Sequence, residues 1–136
     1  MDERITVAGN EVAGHSDDQS AAAQANLNGL FAVAADTHGN VFIADTLNHR
    51  IRRVDPGGII TTYAGTGVPG FFGQDVPAVE ARFYYPRAVA VDAHGNVFIA
   101  DTYNHRIRRV DPGGIITTYA GTGVPGFFGQ DVPAVE

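Results

Sequence analysis

The stretch GNVFIADTYNHRIRRVDPGGIITTYAGTGVPGFFGQDVPAVE occupies residues 95–136, and residues 39–80 carry the same string with Leu47 in place of Tyr103. Extended backward, the same shift of 56 residues aligns the start of the chain with residues 57–80. The chain of 136 residues is therefore a partial repeat, 1–24, followed by two repeats, 25–80 and 81–136. Periods of a few tens of residues indicate an array in which each unit buries its apolar face against its neighbours.

Each repeat contains four short apolar runs separated by residues that favour turns. In the second repeat the turns read AHGN, YN and DPGG, in which Gly, Asn, Asp and Pro supply the required backbone angles. Four antiparallel strands joined by tight turns at a fixed period predict an all-β fold built from β-propeller blades. The predicted strands of the second repeat are 88–92, 97–102, 105–110 and 115–121, and the two complete blades are roughly 31–66 and 87–121.

The motif GNVFIADTxNHRIRRVD resembles the NHL repeat, which is named for an Asn-His-Leu core. Asn104 and His105 occupy the first two of these positions, and Arg106 replaces the Leu. The following run, ITTYAGTGVPGFFGQDVPA, resembles the longer bacterial variety of that repeat. This resemblance covers residues 5–136 and implies a β-propeller fold. It does not choose a function, because the family includes protein-binding, RNA-binding and catalytic members.

Two blades do not close a ring, and propellers resembling this one usually have six blades. The resemblance therefore implies either that three chains assemble into one ring or that the chain is a piece of a longer protein. We expect a homotrimer, since near-identical blades present the front of one to the back of the next, and such contacts close by rotation. Residues 5–9 read as an extra outer strand, which would enter a neighbouring chain, lie on a sheet edge or mark where a longer array was cut.

The composition disfavours several partners. The formal charge is -6, with nine basic residues against fifteen acidic ones, so no basic surface for nucleic acid is expected. No stretch approaches the ~20 apolar residues of a membrane span, and the polar start lacks a secretion signal. We therefore expect a soluble chain, with no nucleic acid or membrane partner, whose compartment the sequence leaves open.

The sequence offers no convincing catalytic, cofactor or metal site. The motif GTGVPG at Gly65, Gly67 and Gly70 matches a dinucleotide pattern, but Pro69 and the following aromatic pair favour a loop instead of the required helix start. His15 lies beside Asp17 and Asp18 without a second cluster, and there is no Cys or Lys. The other histidines recur one period apart and are expected in turns: His38 with His94, and His49 with His105.

We predict no enzyme and no cofactor. Two alternatives stay open: a fragment of a six-bladed, metal-dependent enzyme of the lyase or lactonase type, and a designed or reconstructed repeat without a natural ligand. Asp36 and Asp92 end the innermost runs, where capping the next turn is the expected role.

Polar residues around the second turn of each repeat are expected to be structural. Their carboxylates can accept hydrogen bonds from amides or arginines. The arginine triplets of the third strand are expected on its outer surface, in local pairs with Asp55 and Asp111. The predicted structural turn residues are Asp45, Asn48, His49, Asp101, Asn104 and His105.

The long loop between the repeats, residues 66–86, is the predicted binding face. Loops of this length are usually functional or self-packed, and aromatic residues with arginine are typical interface anchors. Alternatively, Phe71, Phe72 and Phe83 pack as a small satellite core under the loop. The sequence thus predicts a binding and self-assembly scaffold that takes copies of itself and a protein or small ligand on this face. The candidate residues are Phe71, Phe72, Tyr84, Tyr85, Arg87, Leu47 and Tyr103.

Overall fold

A computed structural model describes residues 7–10, 14, 19–126 and 134–135. These residues form two antiparallel sheets of five strands each, which confirms the all-β prediction. Short 3-10 turns accompany the strands, and none of these turns is long or apolar enough to cross a membrane. The first sheet contains β1 (Ser20–Ala21), β2 (Ala32–Ala35), β3 (Val41–Asp45), β4 (Arg50–Val54) and β5 (Ile59–Ala64). The second contains β6 (Val76–Pro77), β7 (Pro86–Val91), β8 (Val97–Asp101), β9 (Arg106–Val110) and β10 (Ile115–Ala120).

Each sheet is a propeller blade of four sequential strands with an added edge strand. Blade 1 has the order β1-β5-β4-β3-β2, and blade 2 has the order β6-β10-β9-β8-β7. The 3-10 turns are Ala22–Gln24, Thr46–Asn48, Ala78–Glu80 and Thr102–Asn104. Strands β2 and β7 lie next to each other, so they are the innermost strands of the two blades.

The tight AHGN turn follows directly from its residues. The Asp92 carboxylate accepts the backbone N–H groups of His94 and Asn96, each at 2.9 Å. Gly95 has a φ of 87°, a conformation that disfavours a side chain. These contacts fix the hairpin from β7 to β8, and Asp36 makes the same ones after β2.

The edge strand of each blade comes from the segment that precedes the blade. In blade 2 it comes from the linker, residues 65–85, whose strand β6 pairs with the start of β10. In blade 1 it comes from the N-terminal segment, where β1 pairs with β5. The prediction of a strand at residues 5–9 falls partly outside the described residues, and its described part, 7–9, is not in a strand.

The main core lies where the back of blade 1 meets the front of blade 2. Both surfaces are apolar because alternate residues of a strand point to opposite faces of its sheet. Phe83 belongs to this core, so the prediction that it packs in a satellite core under its loop is wrong. The back of blade 1 contributes Phe42, Ala44, Ile51 and Ala64, and the front of blade 2 contributes Phe83, Val89, Val97 and Ile99.

Two arginines of the third strands are buried, which corrects the prediction that these residues cover the outer surface. Arg108 lies opposite Ile99 across β8 and β9 and therefore shares the front face of blade 2. The linker crosses that face, because the Arg108 guanidinium donates a hydrogen bond to the carbonyl of Gly73. Arg52 is buried in the same way on blade 1.

Candidate functional site

A buried carboxylate at the end of the second strand holds each blade to the segment before it. Asp101 accepts the N–H of Tyr84 at 2.8 Å and the side-chain amide of Asn104 at 2.8 Å. The Arg108 guanidinium lies 4.0 Å from the same carboxylate. One side chain therefore connects the end of the linker, the 3-10 turn and the third strand.

Blade 1 repeats this arrangement. Asp45 accepts the N–H of Asn28 at 2.7 Å and the side-chain amide of Asn48 at 2.9 Å, and Arg52 lies 3.7 Å away. Asn48 and Asn104 also donate to the carbonyls of Gly14 and Gly70, in the segments that cross the front of each blade. The site predicted as structural thus has a specific task, which is to fix a crossing segment to its blade.

The charges in this site are set mainly by burial. Burial raises the pKa of the Asp101 carboxyl, whereas its hydrogen bonds from Tyr84 and Asn104 and the charge of Arg108 lower it. Burial lowers the pKa of the Arg108 guanidinium to about 10, against the opposing effect of Asp101. With a pKa of about 10, the Arg108 guanidinium is charged at neutral pH and lies close enough to the Asp101 carboxylate to form an ion pair.

Three tyrosines form a cluster at the end of the molecule where the linker meets the 3-10 turn of blade 2. The ring centroids of Tyr84 and Tyr85 lie 5.6 Å and 5.1 Å from that of Tyr103. The Arg87 guanidinium lies 5.3 Å from the ring of Tyr103 and 5.2 Å from the ring of Phe31. We call these residues, Tyr84, Tyr85, Arg87 and Tyr103, the tyrosine cluster.

Blade 1 has no counterpart of the tyrosine cluster. The residues one period earlier are Asn28, Gly29, Phe31 and Leu47. Leu47 packs close to Gly29, where a Cβ would come within 2.5 Å of its side chain. Leu47 in blade 1 thus faces Gly29, whereas Tyr103 in blade 2 faces Tyr85.

We expect Tyr103→Leu to lower the free energy of unfolding by about 0.5 to 1.5 kcal/mol, because aromatic pairs contribute about that much beyond the area they bury. Urea unfolding followed by circular dichroism measures the change. Val124→Ala is the control, since that side chain is exposed and a far smaller loss is expected. A neutral effect of Tyr103→Leu would contradict an energetic role for the cluster.

The structure does not place Phe71 and Phe72 with the tyrosines. The Phe71 ring lies 3.8 Å from the Arg106 guanidinium and 4.7 Å from that of Arg108. Phe72 forms a two-way backbone bridge with Arg82 inside the linker. Both rings are partly exposed, so the predicted binding face divides into two separate regions.

Two polar contacts cross the otherwise apolar junction between the blades. The Thr46 hydroxyl donates to the carbonyl of Pro86 at 2.6 Å, and the Tyr85 N–H donates to His49 Nδ1 at 3.2 Å. Tyr85 has a positive φ of 53°. Gly29, the residue one period earlier, has a similar φ of 63°. Sequence reasoning placed His49 in a turn but did not identify its partner, because that partner is a backbone group 36 residues away.

Each blade leaves part of one face open, although on the front of blade 1 Ile43, Val54 and Ile60 are buried in a second core cluster. The open front face is the front of blade 1, a groove of about 390 Å³ whose lining includes Leu27, Leu30, Phe31, Val33, Val41 and Ile43. The open back face is the back of blade 2, where a second groove is lined by Ala100, Thr102, His105, Arg106, Ile107, Ala120 and Gly121. These two open faces are the equivalents of the front of blade 2 and the back of blade 1, which pack against each other inside the chain.

The remaining candidates from the sequence do not gather into a site. Gly65, Gly67 and Gly70 have positive φ values and belong to the linker loop, which does not open an α-helix. The described part of the chain contains no group of three residues able to hold a metal ion. His15, Asp17 and Asp18 lie outside the described residues.

Comparison with known proteins agrees with this architecture. Residues 83–110, which include Asp101, Asn104 and Arg108, match the profile of the NHL repeat. NHL repeat-containing protein 2 of Gallus gallus is 38% identical over 97 residues, which cover 69% of this chain and 13% of that protein. Protein SUPPRESSOR OF QUENCHING 1, chloroplastic, of Arabidopsis thaliana is 32% identical over 96 residues, which cover 70% of this chain and 9% of that protein.

A solved structure is also similar. The crystal structure of a protein of unknown function from Bacteroides thetaiotaomicron VPI-5482 matches with a TM-score of 0.66 and 26% identity, over 75% of this chain and 26% of that one. The chain spans a small part of each of these relatives. The similarity therefore concerns the blades and does not extend to the activity of a whole relative.

Proposed function

Because this chain belongs to the NHL-repeat family, we propose that it is a binding scaffold whose first partner is a second copy of itself. The open back face of blade 2 binds the open front face of blade 1 of the next copy. The contact is heterologous, since two different faces meet, and such contacts close into a ring when the rotation fits. Three copies would complete six blades, and no catalytic role is assigned.

The observation that supports this proposal is the equivalence between the open faces and the buried ones. Ile51 is 0% exposed inside the junction, whereas Ile107, its equivalent on the open back face, is 37% exposed. Val89 is 9% exposed inside the junction, whereas Val33, its equivalent on the open front face, is 65% exposed. The contact between these faces inside one chain supports an equivalent contact between two chains.

The open faces also give a physical reason for association. Burying a side chain such as Ile or Val contributes roughly 1.5 to 3 kcal/mol, and a blade needs cover on both of its faces. A ring provides that cover for every blade. Outside ligands of the scaffold are expected at the tyrosine cluster, since exposed tyrosines with arginine are common binding anchors.

Solution mass tests the proposal directly. Sedimentation equilibrium over a range of protein concentrations is expected to give three times the mass of the single chain. A chain that stays monomeric at all concentrations up to the millimolar range would contradict the proposal.

The variant Ile107→Asp is expected to weaken association by at least about 100-fold, because it buries an unpaired carboxylate in an apolar junction. The expected mass is that of one chain, with the circular dichroism of the folded protein retained. The matched control is Val124→Asp, since Val124 is exposed and lies outside the open back face. If Ile107→Asp kept the mass of the parent chain, the open back face would not be the contact.

A further inference from the structure

The junction inside the chain contains a polar pattern that recurs on the open faces. Thr46 and His49 lie at the end of β3, and they bond to backbone groups of residues 85 and 86. Thr102 and His105 occupy the same positions at the end of β8, in the same 3-10 turn followed by a left-handed residue. The φ values of His49 and His105 are 54° and 56°, so the Cα–Cβ bonds of the two histidines leave the backbone in the same direction.

The complementary backbone groups recur as well. The positions one period before Tyr85 and Pro86 are Gly29 and Leu30, beside the open front face. Gly29 shares the positive φ of Tyr85. A backbone N–H and a carbonyl do not depend on the side chain, so Gly29 and Leu30 offer the same donor and acceptor.

We propose that His105 and Thr102 set the register between two copies, with His105 Nδ1 accepting the N–H of Gly29 and Thr102 donating to the carbonyl of Leu30 of the second copy. This proposal rests on the self-association proposed above and specifies the polar contacts between the two copies. In the single chain, the Thr102 hydroxyl contacts the carbonyl of Ala100 at 3.3 Å, just as Thr46 contacts that of Ala44 at 3.3 Å in addition to its bond to Pro86. His105 is exposed there and lines the open back face.

This register makes association depend on pH. Nδ1 accepts a hydrogen bond only when it carries no proton, so a protonated His105 loses the contact with Gly29. Inside the chain, burial lowers the pKa of His49, which keeps its imidazole neutral in the junction.

Within the described part of the chain, the charged side chains next to His105 along the sequence are those of Arg106 and Asp101. Arg106 lines the same groove and carries a positive charge. Asp101 is buried and bound to Tyr84, Asn104 and Arg108. Residues 27–31 of the second copy, the counterpart of the segment that covers His49, contain no titratable side chain.

The test is sedimentation equilibrium of the full chain at pH 7.5 and pH 5.5. These two pH values bracket the range in which histidine side chains usually change charge, and the affinity of each junction is expected to be about tenfold lower at pH 5.5. Circular dichroism at both pH values separates this change from unfolding. His105→Asn is the matched variant, because Asn tolerates the left-handed conformation and its amide oxygen accepts the same N–H without titrating.

The expected result is that the parent chain dissociates at pH 5.5 while His105→Asn keeps the same mass at both pH values. The control His49→Asn, which alters the junction inside the chain, is expected to keep the pH-dependent mass of the parent. An equal loss of mass in His105→Asn at pH 5.5 would overturn the assignment of His105. A parent chain that is monomeric at pH 7.5 would instead overturn the self-association itself, and this inference with it.

Thr102→Val tests the second contact. The substitution keeps the shape and removes the donor, so the affinity at pH 7.5 is expected to fall about threefold to tenfold, with the pH dependence unchanged. A neutral result would remove Thr102 from the register and leave the contact of His105 alone.

Discussion

Asp101→Ala is expected to lower the free energy of unfolding by about 3 to 5 kcal/mol, the usual loss when one partner of a buried ion pair is removed. Arg108 would remain buried without its carboxylate. The N–H of Tyr84 and the side chain of Asn104 would lose their acceptor at the same time. Since a domain is stable by only about 5 to 15 kcal/mol, one substitution at this site removes a large part of that stability.

Urea unfolding at several protein concentrations measures this loss and separates it from association. Asp45→Ala is the equivalent change in blade 1 and is expected to have an effect of similar size, because its contacts are the same. Asp92→Ala is the control, since that carboxylate only organises an exposed hairpin turn, and a far smaller loss is expected. Equal losses for Asp101→Ala and Asp92→Ala would contradict the role assigned to the buried pair.

Phe83→Ala is expected to lower the free energy of unfolding by about 3 to 5 kcal/mol, as is typical for a buried aromatic side chain. The ring is fully buried and fills the core between the blades. Its removal leaves a cavity beside Gly65, where an added Cβ would lie 3.0 Å from the ring. The measurement is again urea unfolding, with the midpoint followed by far-ultraviolet circular dichroism.

Phe72→Ala is the matched control for Phe83→Ala, because both residues lie in the linker and only Phe83 is buried. A loss below about 1 kcal/mol is expected for Phe72→Ala. A loss for Phe72→Ala as large as that for Phe83→Ala would mean that the linker packs as one unit and that Phe83 is not specifically the core residue.

The sequence predicted the blades because their information is local. The turn residues and the alternation of apolar residues act within a few positions, so the hairpin at Asp92 and Gly95 could be recognised without knowing the rest of the fold. The fixed period then indicated that the hairpins stack. The positions of Asp45 and Asp101 beside a turn indicated a structural role, although not its partners.

Long-range contacts could not be predicted in this way. From the sequence alone, Arg108 is expected on the surface. In the structure it is covered by the linker, whose Gly73 lies 35 residues earlier in the chain and accepts a hydrogen bond from it. The edge strand β6 has only two residues, which carry no alternation to read. The strand register places Arg108 opposite Ile99, and this pairing indicates that the arginine faces the core.

The origin of the edge strand has a practical consequence for protein engineering. Because a blade receives its edge strand and the cover of its front face from the preceding linker, residues 65–120 form the smallest insertable module, offset from the first strand of the blade. Since residues 65–80 and 121–136 are identical, a copy of this module placed between Ala120 and Gly121 restores the native peptide sequence at both splice points. Genes that encode three, four or more blades can therefore be designed without any new junction sequence between blades.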